Sequence, residues 1–434
     1  MPVNSVFLSV PTRRWKSCFD KGLFYQSPQW ALRGMAFLPL REMNPIYLDH
    51  NATTPLRGEV LEAMLPYLRD AYGNPSSIHR FGQAAKKGVE EAREKVARLI
   101  RARPIEIVFA GGGTEADNLA IKGVAYLNKE RGGHLITSSI EHDAVLNACQ
   151  HLEKEGFRVT TLPVTRDGMV DPDDVRKAIR ADTILISIMH ANNEVGTIQP
   201  IEEISEIARA RGILFHTDAV QSVGKIPVDV EKLGVDLLSM SAHKMYGPKG
   251  TGALYIRRDV KIEPQIHGGH HEMNRRAGTE NVAGIAGFGK AAEFVEAELE
   301  EGPERMRLLR DTFWEKIRAR IDHVHLNGHP EKRLPNTINV SFEFIEGESV
   351  LISLDLQGIA ASTGSACTSG SLKPSHVLLA MGVPRRSAQG CLRFSIGRGT
   401  THEEIDRTVD VLAETVHRLR SMSPFFLDAK RRVG

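Results

Sequence analysis

Three short segments place chemically useful side chains just beyond apolar runs. In VDLLSMSAHKMYGPKG, Lys244 follows the apolar stretch, sits beside His243 and precedes a Gly-Pro turn. A lysine drawn into a partly desolvated position has a lowered pKa, which frees its amine to bond an aldehyde. In ILFHTDAVQ, an apolar run delivers Asp218 at its end. In IVFAGGGTEADNLA, a strand-like run meets Gly111, Gly112, Gly113 and Thr114 before a helical stretch. That order turns backbone N–H groups and a helix N-terminus toward an anion. The glycine signal is weak alone, since it lacks the third glycine of a dinucleotide fingerprint and the Gly-Lys-Ser/Thr of a P-loop. A lysine for an aldehyde, a carboxylate for a pyridinium nitrogen and donors for a phosphate are what pyridoxal 5'-phosphate requires. Lys244, Asp218 and the Gly113-Thr114 turn supply all three. The plainer alternatives are a surface lysine at a strand end and a tight turn with no ligand.

A fourth segment, ASTGSACTSG from Ala361 to Gly370, holds Cys367 among very small neighbours. No bulky side chain there can bury the thiol, and Gly364 and Gly370 leave the backbone free to move. A free cysteine is ordinarily a small buried hydrophobe, so the setting marks this one for reactivity. Cys149, on the apolar side of AVLNACQHL, and Cys391, ahead of a strand, read as packed residues.

The elements that must position these groups alternate. From Ile105 to Arg257, short apolar runs (IEIVFA, HLITSS, TILISIM, ILFHTDA, VDLLSMS, TGALYIRR) are separated by helical stretches such as EADNLAIKGVAYL and IEEISEIARARG. Strands alternating with helices predict a mostly parallel sheet covered on both faces. Polar residues cluster just past the strands, and ligands of open α/β sheets bind outside the carboxyl ends of strands. After about residue 290, a long charged helix (AAEFVEAELEEGPERMRLLRDTFWEKIRARI), INVSF, the cysteine segment, RFSIG and a final helix predict a smaller α+β domain, joined by the opening strand near Tyr47. The expected organisation is an N-terminal extension over 1–44, a large cofactor-binding domain over 55–290, and a small domain from 45–54 and 291–434 carrying the cysteine loop.

Composition excludes several classes. The chain has 434 residues, 41% hydrophobic and 25% charged, with a net charge of +2 and therefore no electrostatic reason to expect nucleic acid. No apolar run reaches the ~18 residues of a membrane span. Four cysteines, widely separated and without a CxxC pair, argue against a disulfide framework or zinc site and favour a reducing, cytoplasmic setting. The first 44 residues carry six Lys/Arg against two acids and two of the three tryptophans. A basic targeting segment is one reading; the favoured one is an extension upstream of a natural start at Met43.

The runs YLDHNATTP, NPSSIHRFG, GGTEADNLA, SSIEHDAVL, HANNEVGTIQP, HTDAVQSVGK, SAHKMYGPKGTGALY, RAGTENV, STGSACTSG and RFSIGR resemble, in this order from about residue 46 to 400, the group I cysteine desulfurases of iron–sulfur cluster assembly. These belong to the class V aminotransferase-like family. The resemblance implies the fold type I architecture of pyridoxal-phosphate-dependent transferases. It implies that Lys244 holds the cofactor, Asp218 pairs with the ring nitrogen, and Gln221 bonds the phenolic oxygen. His142 would stack on the ring and move protons. Thr114, Ser241, His243 and the Gly113 backbone would hold the phosphate, with Thr279 reaching it from the other subunit of a homodimer. Asn193 would lie close to cofactor and substrate. Arg393 and Asn51 would grip the carboxylate of L-cysteine, and Cys367 would take its sulfur as a persulfide, leaving L-alanine. No resident metal is implied, Cys367 being at most a transient iron–sulfur ligand. The long form of the cysteine loop implies sulfur delivery to a scaffold or carrier protein, and the basic tail SPFFLDAKRRVG leaves the choice of acceptor open. The segment HGGHHEMNRRAGTEN departs from the family pattern at His270, Met273 and Asn274. A metal site from His267, His270, His271 and Glu272 is the alternative there, although no role in the resemblance needs it. Rival functions are another pyridoxal phosphate enzyme of this fold (an aminotransferase, an epimerase or a selenocysteine lyase) and a non-catalytic sulfur-relay protein.

Overall fold

The computed structural model describes residues 45–363, 374–424 and 426. Cys18, Cys367 and the whole of 1–44 lie outside these residues. Twelve strands are described: β1 (Ile46–Tyr47), β2 (Ile107–Ala110), β3 (His134–Ser138), β4 (Arg158–Leu162), β5 (Thr183–Ser187), β6 (Leu214–Asp218), β7 (Leu237–Ser241), β8 (Gly252–Ile256), β9 (Val324–Asn327), β10 (Thr337–Phe342), β11 (Ile359–Ala360) and β12 (Cys391–Ser395).

Seven of them form one sheet in the order β2-β8-β7-β6-β5-β3-β4. The pairs β3–β4, β3–β5, β5–β6 and β6–β7 are parallel, and only β8 runs against its neighbours β7 and β2. This is the mostly parallel, mixed sheet that the alternating pattern predicts. Its central strands are buried on both faces, and β7 (LLSMS) and β8 (GALYI) expose no residue. Near-continuous apolar runs are what such strands require. One face packs Ile107, Phe109, Ile186, Phe215 and Leu238 against helices α1 (Gly58–Arg69) and α2 (Arg80–Leu99) and the helix Val282–Glu298. The other packs Val108, Leu135, Leu185 and Leu254 against α3 (Gly113–Leu127) and α4 (Asp143–Lys154).

A separate cluster gathers Ile46 and Leu48 with Phe313, Val340, Phe342, Phe394 and Val416 around the antiparallel sheet β12-β10-β9. Strand β1 reaches it by pairing parallel to β11, and Asp49 bridges to Ser395.

The single long helix expected after residue 290 is two helices, Val282–Glu298 and Gly302–Arg320. Pro303 starts the second, a position where its missing N–H costs nothing. A boundary at 290 cuts the first of them, whose Phe288, Ala291, Ala292 and Val295 all pack in the large-sheet core.

Candidate active site

The carboxyl ends of β3, β5, β6 and β7 converge with the N-terminus of α3 on one cavity of ≈ 310 Å³. It is lined by Asn51, Gly113, Thr114, His142, Asn193, Asp218, Gln221, Ser241, His243, Lys244 and Arg393, and also by Ala52, Asp117, Met189 and Val220. Every expected site residue within the described part of the chain is thus gathered there except Thr279, which is exposed elsewhere. Cys367 lies outside the described residues.

The end of the cavity at the start of α3 is built from a turn. Gly112, at φ +152°, bends the chain from β2 into α3, a conformation that favours glycine. A Cβ on Gly113 would approach Val220 to 2.7 Å, so a bare backbone is needed to leave the mouth of the helix open. The Ser241 hydroxyl is buried and has no hydrogen-bond partner among the described residues. His243 places Nδ1 3.1 Å from Thr53 Oγ1, and burial, then the Lys244 and Lys249 charges, push its pKa down to about 4. It is therefore a neutral hydrogen-bonding group at neutral pH. This end of the cavity also opens into a larger hollow of ≈ 720 Å³ along Gly111 to Glu115, Lys249 and Gly250.

Asp218 ends β6 and accepts the Val220 amide at 2.9 Å. Burial raises its pKa, against the pull of His142, the Val220 bond and Lys244, and it makes no ion pair among the described residues. A buried carboxyl in that state is stabilised in its charged form by a cationic group entering the cavity. On the helix behind it lies Asp117, whose Oδ1 is buried without a hydrogen bond, 3.7 Å from His216 Nε2. Burial and then the charge of Asp218 raise its pKa strongly. Two neighbouring buried carboxyls cannot both ionise cheaply, and each holds the pKa of the pair up.

The Lys244 amine donates to the carbonyls of Asn51, at 2.6 Å, and Ala52, at 2.7 Å. His142 caps α4 with its ring, Nδ1 accepting the Ala144 amide at 3.1 Å, which fixes the ring at the cavity wall. Arg393, on β12, is nearly sealed from solvent; it pairs with Asp49 at 2.7 Å and donates to the Asn193 carbonyl at 3.1 Å. Its Nε is buried without a partner. Asn51 faces the cavity, but its amide hydrogens go to Thr337 Oγ1 at 2.9 Å and the Asn193 carbonyl at 3.2 Å. It supports Arg393 through that shared carbonyl, and can reach a substrate only by exchanging one of these bonds.

Both ends of the cysteine-bearing segment are held beside the cavity. Ser362 exchanges backbone hydrogen bonds with Arg393. Ser375 donates to the buried Glu194, and His376 Nε2 lies 3.0 Å from the Glu141 carbonyl. Burial lifts Glu194 to about 7 and Glu141 to about 8, so both side chains are largely or half protonated near neutrality.

Glu272, the candidate metal ligand, turns inward to Arg93 and the Phe109 amide, while His270 bonds Asn274. Among the described residues no cluster of three or more metal-ligating side chains occurs. Cys149 and Cys391 are buried, as their sequence settings imply.

An unpaired phosphate cradle, a buried carboxylate and a lysine amine at adjacent strand ends of a mostly parallel sheet define a pyridoxal-phosphate enzyme of fold type I, and the residues present fit that cofactor. The sequence model of the family "Aminotransferase class-V" matches residues 46–408. The chain is 59% identical over 380 residues to the "Cysteine desulfurase IscS" of Dictyoglomus turgidum, covering 88% of this chain and 96% of that one. It is 57% identical over 383 residues to the protein of the same name from Methanosarcina thermophila, with 88% and 95% covered. Among solved structures, a "NifS-like protein" superposes with a TM-score of 0.82 at 42% identity, over 86% of this chain and all of that one (100%). "SspA in complex with cysteine" superposes with a TM-score of 0.72 at 40% identity, over 81% and 98%. The chain belongs to the aminotransferase class-V family and, within it, to the pyridoxal-phosphate-dependent cysteine desulfurases.

Proposed function

We propose that this enzyme converts L-cysteine to L-alanine, stores the sulfur as a persulfide on Cys367, and supplies it to an acceptor protein for iron–sulfur clusters or other thio-cofactors. The observation that carries the reading is the convergence of Lys244, Asp218, His142 and Arg393 on one cavity beside the two ends of the Cys367 segment.

Bound pyridoxal phosphate supplies an aldehyde for an amine and an electron sink beside the substrate Cα. Lys244 holds the cofactor through its amine. Asp218 would pair with the ring nitrogen, and Gln221 would offer an N–H to the phenolic oxygen. Thr114, Ser241, His243 and the Gly113 backbone bind the phosphate. The Asn51 and Ala52 carbonyls hold the Lys244 amine at the cavity, where it would serve as the base for the substrate Cα proton. Arg393 would orient the substrate carboxylate, and His142, fixed as the cap of α4, would cover the ring and relay protons. The Cys367 thiolate attacks the substrate sulfur; the S–S bond forms as the Cβ–S bond breaks, and the substrate carbons leave, after protonation, as alanine. L-cysteine and one enzyme thiol thus give L-alanine and one enzyme persulfide.

Several features support a homodimer. Tyr72 is 71%, Ile78 92% and Phe81 52% exposed, with the Tyr72 and Phe81 rings 5.5 Å apart. An exposed apolar surface of this kind suits a second copy, which would bring Thr279 to the partner's phosphate site. Two separate cores support a large domain ending at the helix break after Glu298 and a small domain completed by residues near 46–48. Among the described residues no helix is long and apolar enough to cross a membrane, and a cytoplasmic site of action accords with the few, widely separated cysteines.

The test is mass spectrometry of the cofactor-loaded protein after incubation with L-cysteine in the absence of reductant. The Cys367 peptide is expected to gain one sulfur atom that dithiothreitol removes. Sulfur appearing on no cysteine, while alanine forms, would overturn the assignment.

A further inference from the structure

A second lysine lies behind the cavity, and nothing in the chemistry above uses it. Lys225 is 5% exposed, does not line the cavity, and has no carboxylate partner among the described residues. Its Nζ donates to Gln221 Oε1 at 2.7 Å and to Asn51 Oδ1 at 3.0 Å. Burial, then the charges of Lys244 and Arg393, push its pKa well down. Both partners are side-chain amide oxygens.

A carboxamide is nearly symmetric in shape but not in hydrogen bonding: one end donates and the other accepts. A lysine offers hydrogens, so the end of each amide that faces it must be oxygen. For Gln221 this leaves the NH2 pointing away from Lys225. One of its hydrogens goes to the Asn51 carbonyl at 3.0 Å, and the other is free for the cavity. Asn51 has a second lock, because Asn336 also donates to its Oδ1 at 3.0 Å. Gln221 Oε1 has no such second donor among the described residues, so Lys225 alone satisfies it. The Asn51 carbonyl held by Gln221 is also one of the two that receive the Lys244 amine.

We propose that Lys225 is a positioning residue: it holds the Gln221 carboxamide with an N–H toward the phenolic oxygen of the bound cofactor, and so sets that cofactor's protonation state. The inference rests on the cofactor reading given above. Without Lys225, Gln221 Oε1 is buried and unsatisfied, a cost of about 1–3 kcal/mol that the amide relieves by turning. The phenolic oxygen then loses its donor and becomes more basic. The other charged and titratable groups at the cavity are His142 on α4, Asp117 on α3, Asp218 on β6, His243 and Lys244 after β7, and Arg393 on β12; Lys225 itself helps to lower the pKa of His243, so an effect of charge has to be separated from an effect through Gln221.

The experiment is a pH titration of the visible absorbance of the loaded protein, for wild type, Lys225→Met, Gln221→Leu and the double variant. For Lys225→Met the midpoint between the protonated and deprotonated colours should rise by about one pH unit, a tenfold change. In the Gln221→Leu background the same substitution should shift the midpoint no further. Lys225→Gln, which keeps a donor, should lie closer to wild type, and it serves if the methionine variant does not fold. A wild-type titration matched by Lys225→Met and Lys225→Gln overturns the inference. An equal shift with and without Gln221 also overturns it, since Lys225 would then act by charge alone. A wild type that takes up no chromophore overturns the cofactor reading and this inference with it.

Discussion

Replacing Glu272 with alanine should destabilise the protein by about 3–5 kcal/mol, the usual result of removing one partner from a buried ion pair. The structural basis is a bidentate contact: Arg93 Nη1 and Nη2 donate to the Glu272 carboxylate at 2.8 and 2.7 Å. The two side chains are only 7% and 3% exposed. The same carboxylate accepts the Phe109 amide at 2.9 Å, and that buried N–H would be left unpaired, which alone costs about 1–3 kcal/mol. Arg93 keeps the Ile107 carbonyl at 2.8 Å and a partly exposed Glu90 at 3.2 Å, so the loss should sit at the lower end of the range. Glu272, Met273 and Asn274 adopt φ of +45°, +57° and +63° in succession, a left-handed run that costs about 1–2 kcal/mol per residue and persists only while its anchor holds. This is the segment that departs from the family pattern and leads to Thr279. Urea unfolding of the cofactor-free protein, with reversibility checked, gives the free energy. Limited proteolysis between residues 267 and 279 reports the local release. Arg93→Met combined with Glu272→Leu should recover most of the loss, leaving chiefly the Phe109 amide. A single-variant loss below about 1 kcal/mol, or a double variant as costly as the sum, would refute the reasoning.

Two further outcomes follow from the buried acids. Glu194 has its folded pKa raised to about 7, so the stability tied to its proton is present below the ordinary carboxylate range, near 4.5, and is lost as the pH rises through 7. Glu194→Gln removes that dependence, and its stability relative to wild type should improve by up to about 3 kcal/mol between pH 4.5 and 8; parallel stability curves would contradict it. Asp218→Asn removes the charge opposite the ring nitrogen, and should weaken cofactor binding at least tenfold, read by fluorescence titration, while the far-ultraviolet dichroism stays native.

Much of the site was legible because parallel strands concentrate polar residues at one edge. Lys244, Asp218, Ser241 and the Gly113-Thr114 turn each end or follow an apolar run; β6 and β7 are neighbours in the sheet, and β2 lies one strand away, across β8. The helix break near Gly302-Pro303 was also written in the chain, but the charged helical stretches on either side hid it. Other features depend on pairs that no local pattern announces. Arg93 and Glu272 are 179 residues apart in sequence. Lys225 lies four residues after Gln221 in AVQSVGK, a spacing that could have suggested a shared face, but its second partner, Asn51, comes from another element. Asp117, in EADNLA at the start of a helical stretch, carries no local sign of its burial behind Asp218. The assignment of Cys367 came from its small neighbours and the family resemblance, since it lies outside the described residues.

The central claim is that Cys367 receives sulfur from L-cysteine at a site built around Lys244. The direct measurement is alanine and sulfide release from L-cysteine with a reductant, comparing the cofactor-loaded protein with its Cys367→Ser variant at matched chromophore content. Wild type should release both, and the variant should keep the chromophore yet release neither. Equal alanine release by the two proteins would show that the thiol is incidental and contradict the account.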